Sequence, residues 1–175
     1  MRSLTLLLLL APTLAAQQPR DLSGAWRLET PATVTPPATP PDTLPDTAQA
    51  AQGPRTRMGR QLALLAGMAG AVPAFVIVQS DSVITVTNED GFSYDLRPRG
   101  PELRLTVADS LIVRYRTRWD GSFLQVEWRP EGGGKITERY QLADSGLYLR
   151  VDVTVEYERF RQSVSRLYRK AEEAP

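Results

Sequence analysis

The stretch LIVRYRTRWDGSFLQVEWRP, Leu111 to Pro130, constrains the fold more than any other part of the chain. Apolar and polar residues alternate on both sides of Asp120 and Gly121, and a period of two belongs to a half-buried strand. An Asp-Gly pair between two such runs predicts a hairpin closed by a two-residue turn. With Asp120 and Gly121 as the loop, Thr117 faces Leu124, Tyr115 faces Val126 and Val113 faces Trp128 on one surface. The opposite surface sets Arg116 against Gln125 and Arg114 against Glu127. Two patterns, one apolar and one polar, agree on this register.

The same rhythm recurs from Ala74 onward. AFVIVQ, SVITVTN, FSYDLR, ELRLTVA, ITERYQL, LYLRVDVTVEYE and SVSRLYRK are short alternating runs separated by NEDG, EGGGK and ADSG turns. With SGAWRLE near the start, the pattern predicts an all-β antiparallel meander of about 8–10 strands, and closure into a barrel is the economical way to protect its edges.

Two segments break the rhythm. Residues 30–54 are rich in proline, threonine and alanine, a composition that reads as a flexible insertion after the first strand, which spans 17–29. Residues 55–72 then place Met58, Leu62, Leu65 and Ala69 on one helical face, which predicts a short helix and a possible lid. The remaining barrel is expected over 73–170, with a polar tail at 171–175.

The chain opens MRSLTLLLLLAPTLAAQQ, with Arg2 before an apolar run and Ala15 and Ala16 at its end. This reads as a secretory signal peptide over 1–16, which places the mature protein outside the cytoplasm, secreted or periplasmic. No cysteine is present, so no disulfide and no thiol-linked lipid is expected. Basic and acidic residues number 21 and 20, and the expected leader removes one basic residue. Balanced charge offers no case for nucleic acid, and no other apolar run is long enough for a membrane-spanning helix.

LSGAWRLE after a leader, followed by alternating strands and a last strand ending RLYRK, resembles the lipocalin-like β-barrels, and more narrowly secreted bacterial proteins with an LxGxW start. The resemblance implies that Gly24 and Trp26 form the barrel-closing motif, with Arg166 or Arg169 covering the indole. It departs from the lipocalin pattern in its long insertion, its lack of cysteine and a strand count nearer ten than eight. A helix inserted after strand one is similar in placement to the helical lid of intracellular fatty-acid-binding barrels.

Histidine is absent as well as cysteine, which removes Ser-His-Asp hydrolysis, thiolate chemistry and zinc sites of the usual kind. No catalytic constellation, metal site or cofactor is expected. NEDG lacks the alternating ligands of a calcium loop and reads as a turn. Arg114, Arg116 and Arg118 form an outward stripe that reads as a solvated face or, less simply, as an anion site.

Glu138 is the acidic residue whose parity is odd, because it shares a face with Ile136, Tyr140 and Leu142. Three readings stay open for it: a bulge that returns it to solvent, an internal structural pair, or a ligand contact. If the barrel holds a small hydrophobic or amphipathic ligand, Tyr94, Tyr115, Trp128, Glu138 and Tyr140 are the residues expected to line its site. The alternative is a filled structural barrel that acts as an envelope interaction module.

Overall fold

A computed structural model of the chain describes residues 20–34, 57–107 and 111–171. The expected leader, most of the proline-rich insertion and residues 172–175 lie outside them. Ten strands form one antiparallel sheet: β1 (Gly24–Val34), β2 (Ala74–Gln79), β3 (Ile84–Asn88), β4 (Ser93–Leu96), β5 (Leu103–Val107), β6 (Leu111–Asp120), β7 (Phe123–Pro130), β8 (Lys135–Ala143), β9 (Tyr148–Tyr157) and β10 (Phe160–Lys170). A helix, α1 (Arg57–Met68), follows β1.

Consecutive strands pair, apart from β4 with β5, and the first strand pairs with the last, so the sheet runs in the order β4-β3-β2-β1-β10-β9-β8-β7-β6-β5. This is a meander curled on itself, with β4 and β5 at its two edges. Side chains span the gap where backbone ladders do not. The Tyr115 hydroxyl on β6 donates to the Asp95 carbonyl on β4 at 2.7 Å. The Tyr94 ring stands edge-on to Trp128 at 5.4 Å between centroids. Aromatic pairs of this kind add about 0.5–1.5 kcal/mol beyond their burial.

The core is the concave face of the sheet. Phe75 and Ile77 of β2, Val113 of β6, Val126 of β7 and Val151 of β9 are buried there, and the alternating burial along β2 and β6 follows the alternation in sequence. Each such side chain contributes about 1.5–3 kcal/mol.

Two local expectations need correcting. The β6–β7 hairpin pairs Thr117 with Val126, Tyr115 with Trp128 and Val113 with Pro130, two residues away from the register counted from an Asp120–Gly121 loop. Asp120 pairs with Phe123 in the ladder, and the loop is Gly121–Ser122 with Gly121 at φ 59. Glycine at the first central position suits a II′ turn, so one positive φ suffices and aspartate is released to the strand. A shift of two leaves every side chain on its expected face. Arg116 rather than Arg114 now opposes Glu127, which pairs with Arg129, while Arg114 pairs with Glu102. The second correction is the end of β1, which runs to Val34 instead of Glu29. Its ladder with β10 is interrupted between Leu28 and Thr30 and again between Thr30 and Thr33. Pro31, which has no N–H to donate, falls inside the second interruption.

Helix α1 is docked on the barrel. Leu65 is fully buried and Ala69 nearly so, as the predicted face requires, and Leu62 is half-buried. Gln61 Nε2 donates to the Gly133 carbonyl at 2.8 Å, tying the helix to the β7–β8 turn.

Candidate functional site

Where the end of α1 meets the concave face, a partly open cavity of about 150 Å³ remains. Met68, Gly70 and Val72 close it from the helix side, and apolar residues such as Phe75, Leu105 and Ile136 form much of its wall. The barrel is therefore not packed solid. The space is smaller than the roughly 300 Å³ at which pockets for drug-sized ligands begin, and suits a slender apolar chain.

Four of the five residues expected to line a ligand site meet here: Tyr94, Trp128, Glu138 and Tyr140. Tyr115 does not line the cavity. It is buried behind Trp128, with ring centroids 4.8 Å apart, and its hydroxyl serves the β4–β6 bridge described above.

Glu138 projects inward, as its parity indicates. The register runs from Leu124↔Tyr140 through Val126↔Glu138 to Trp128↔Ile136 without a bulge. One carboxylate oxygen, Oε2, accepts from Trp128 Nε1 at 3.0 Å and from the Tyr140 hydroxyl at 2.8 Å. The other, Oε1, has no hydrogen-bond partner among the described residues. Tyr94 lines the same cavity, its ring edge-on to Trp128. Glu138 and Tyr94 are half-buried and line the cavity.

Burial raises the Glu138 pKa above its ordinary 4.5, against the opposing pull of the Trp128 and Tyr140 hydrogen bonds and the Arg166 charge. Burial likewise pushes Tyr94, Tyr140 and Tyr168 upward, so all three stay neutral. The folded protein thus keeps a proton at Glu138 where the unfolded chain has already lost it. Unfolding releases that proton, and stability falls as pH rises from 4.5 toward the folded-state pKa. Glu138→Gln is expected to abolish this contribution while retaining an acceptor for Trp128 and Tyr140. Urea unfolding of both proteins between pH 4 and 8 checks it: a wild-type minus variant stability difference that does not fall with pH would contradict the raised pKa.

Arg166 on β10 was expected over the Trp26 ring. The structure instead turns it inward, and it lines the cavity at 6 % exposure. Its Nη2 donates to the Ala69 carbonyl at the end of α1. Helix α1 has no basic residue in its own last turn, so Arg166 supplies the cation that its C-terminal carbonyls favour. Its Nε is buried without a partner, and among the described residues no carboxylate reaches it at salt-bridge distance. A guanidinium cannot shed its charge, so the cavity holds a cation lacking a direct counter-ion.

The cation over Trp26 is Lys170, whose Nζ stands 5.7 Å from the ring centroid, while Arg169 is exposed opposite Arg27. Parity explains the exchange: Val164, Arg166 and Tyr168 share the inward face of β10, and Arg169 and Lys170 lie at its exposed end. Gly24 makes the Lys170 contact possible, because a Cβ there would stand 2.6 Å from Lys170 Cε.

Sequence reasoning missed Arg166 and Tyr168 as cavity residues, together with the end of α1. The signal for Arg166 was present: the parity test that singled out Glu138 applies equally to SVSRLYRK, where Arg166 alternates with Val164 and Tyr168. Nothing local marks the end of α1, since which part of a helix reaches a cavity depends on docking.

No family model and no curated protein sequence matches the chain. Solved structures do share its fold. An abundant heat soluble (SAHS) protein from Ramazzottius varieornatus aligns over 90% of this chain and 100% of its own, at 13% identity and a TM-score of 0.54. The REP1-NXSQ fatty acid transporter aligns over 87% and 98%, at 17% identity and a TM-score of 0.51. Fatty-acid-binding protein 1 of Echinococcus granulosus aligns over 86% and 97%, at 13% identity and a TM-score of 0.50. At these identities the likeness is one of fold alone.

Proposed function

We propose that the protein is an exported, non-enzymatic carrier that holds a small amphipathic molecule in its barrel. The observation that carries this reading is the cavity itself: apolar walls, a helix end for a lid, and one buried guanidinium with a free Nε and no carboxylate at salt-bridge distance. Such a site favours an apolar tail with an acidic head, since a carboxylate on Arg166 would compensate a buried charge that the described residues leave unpaired. Two of the fold neighbours carry names that speak of fatty acids, which agrees with a ligand of this kind. The leader-like start of the sequence supports export. Against a purely structural barrel working through its surface stands the cavity.

Native mass spectrometry of the protein purified from its host tests both halves of the proposal. The expected result is a polypeptide beginning near Gln17 that carries a non-covalent adduct with the mass of a single amphiphile. A ligand-free protein that also takes up no added medium-chain fatty acid or alcohol would sink the carrier reading, and a full-length chain would sink the export reading.

A further inference from the structure

Resting on that reading, we infer that the cavity takes up an acidic amphiphile together with one proton, and that Glu138 is the residue that holds it. Glu138 lies in a ladder row with Val153 and Val164, and Arg166 in the next inward row with Val151 and Tyr140. The two residues stand on β8 and β10 with β9 between them, so their backbones are separated by two strand spacings, about 10 Å. Both side chains reach the same cavity and do not meet in a salt bridge. A head group entering between them touches a guanidinium on one side and a carboxyl on the other.

The charge count then decides the chemistry. With the cavity empty, an ionised Glu138 and Arg166 balance one another at a distance. A ligand carboxylate at Arg166 brings a second negative charge into the same low-dielectric space. Two neighbouring carboxylates beside one cation do not both stay ionised, and one proton taken from solvent restores neutrality. The free oxygen Oε1 of Glu138 is the acceptor for that proton and becomes the donor to the ligand carboxylate. Among the described residues no other group facing Glu138 can take the role: Tyr140 on its own strand, Tyr94 on β4 and Tyr168 on β10 are already neutral, Trp128 on β7 does not titrate, and Arg166 is permanently charged. The raised pKa of Glu138 in the empty cavity agrees with this assignment.

Three consequences follow for binding. Affinity for a carboxylate ligand falls about tenfold per pH unit between the Glu138 pKa of the free protein and that of the complex. A neutral amphiphile of the same length binds without proton uptake, because it leaves the Glu138–Arg166 balance intact. The site discriminates by protonation, retaining acids in mildly acidic surroundings and releasing them in alkaline ones.

The experiment is calorimetric titration of the full mature chain with decanoate and with decanol, over pH 5 to 9, in buffers of different ionisation enthalpy, which counts protons directly. The expected result is uptake of about one proton with decanoate and none with decanol, the decanoate uptake being lost in Glu138→Gln together with the steep pH dependence. Decanoate binding without proton uptake would overturn the inference, and so would proton uptake that persists in Glu138→Gln. Binding of decanol but not of decanoate at any pH would overturn it while leaving the carrier reading in place. Binding of neither would overturn both. Thermal unfolding of Glu138→Gln shows whether the variant is folded, and the proton count on the unaltered protein stands whatever that variant does.

Discussion

Trp26→Ala is expected to be the most destabilising single truncation in the first strand, costing about 3–5 kcal/mol and lowering the unfolding midpoint by roughly 6–20 °C. The indole is 2 % exposed, and its Nε1 donates to the Leu22 carbonyl at 3.0 Å. Truncation therefore removes a large buried surface and strands a carbonyl beside Leu22, which is itself fully buried. Lys170 over the ring adds a smaller share, about 0.5–1 kcal/mol at an exposed position. Urea and thermal unfolding followed by far-ultraviolet circular dichroism measure the effect. A loss below about 1 kcal/mol would mean that the neighbouring core collapses into the space and that Trp26 does not hold the end of the barrel.

Arg166→Met is expected to separate stability from binding, with opposite signs. The guanidinium is buried, permanently charged and without a carboxylate at salt-bridge distance among the described residues, so its replacement by an apolar side chain of similar length relieves a desolvation cost. Lost in exchange is the bond to the Ala69 carbonyl. Glu138 also loses its balancing cation, so any gain stays below the roughly 4 kcal/mol reached when both partners of a buried pair are replaced. Affinity for decanoate falls about 10- to 150-fold, the worth of a charge-assisted hydrogen bond of about 1.5–3 kcal/mol. Equilibrium unfolding and calorimetry on the same preparation test both arms. A stability loss above about 2 kcal/mol would show that latching α1 outweighs the buried charge. Undiminished decanoate affinity would remove Arg166 from the binding site.

Much of the fold could be read from local alternation, and the site only in part. The parity of KITERYQL places Glu138 inside, and the structure keeps it there because β7 and β8 pair without a bulge. The Gly24-x-Trp26 pair marks a buried indole at the start of the sheet, yet the residue laid across it is Lys170, two places beyond the inward-facing Tyr168. The hairpin loop lies one residue later than Asp-Gly suggested, which changes the cross-strand partners without changing the faces. Tyr115 points inward as expected and is then used up in bridging the sheet edges.

From sequence alone come the period of two, the turns, the helix after strand one and the side of the sheet on which each side chain falls. These follow from backbone geometry over a few residues, which tertiary contacts seldom overrule where one face must be buried. Tertiary structure alone decides that β1 pairs with β10, that β4 and β5 remain the open edges, and that the end of α1 comes down on Arg166. Those choices join residues far apart in the chain, Ala69 with Arg166 and Trp26 with Lys170. Whether an inward arginine finds a carboxylate, a helix end or an empty space depends on how the sheet curls, and no local pattern records it.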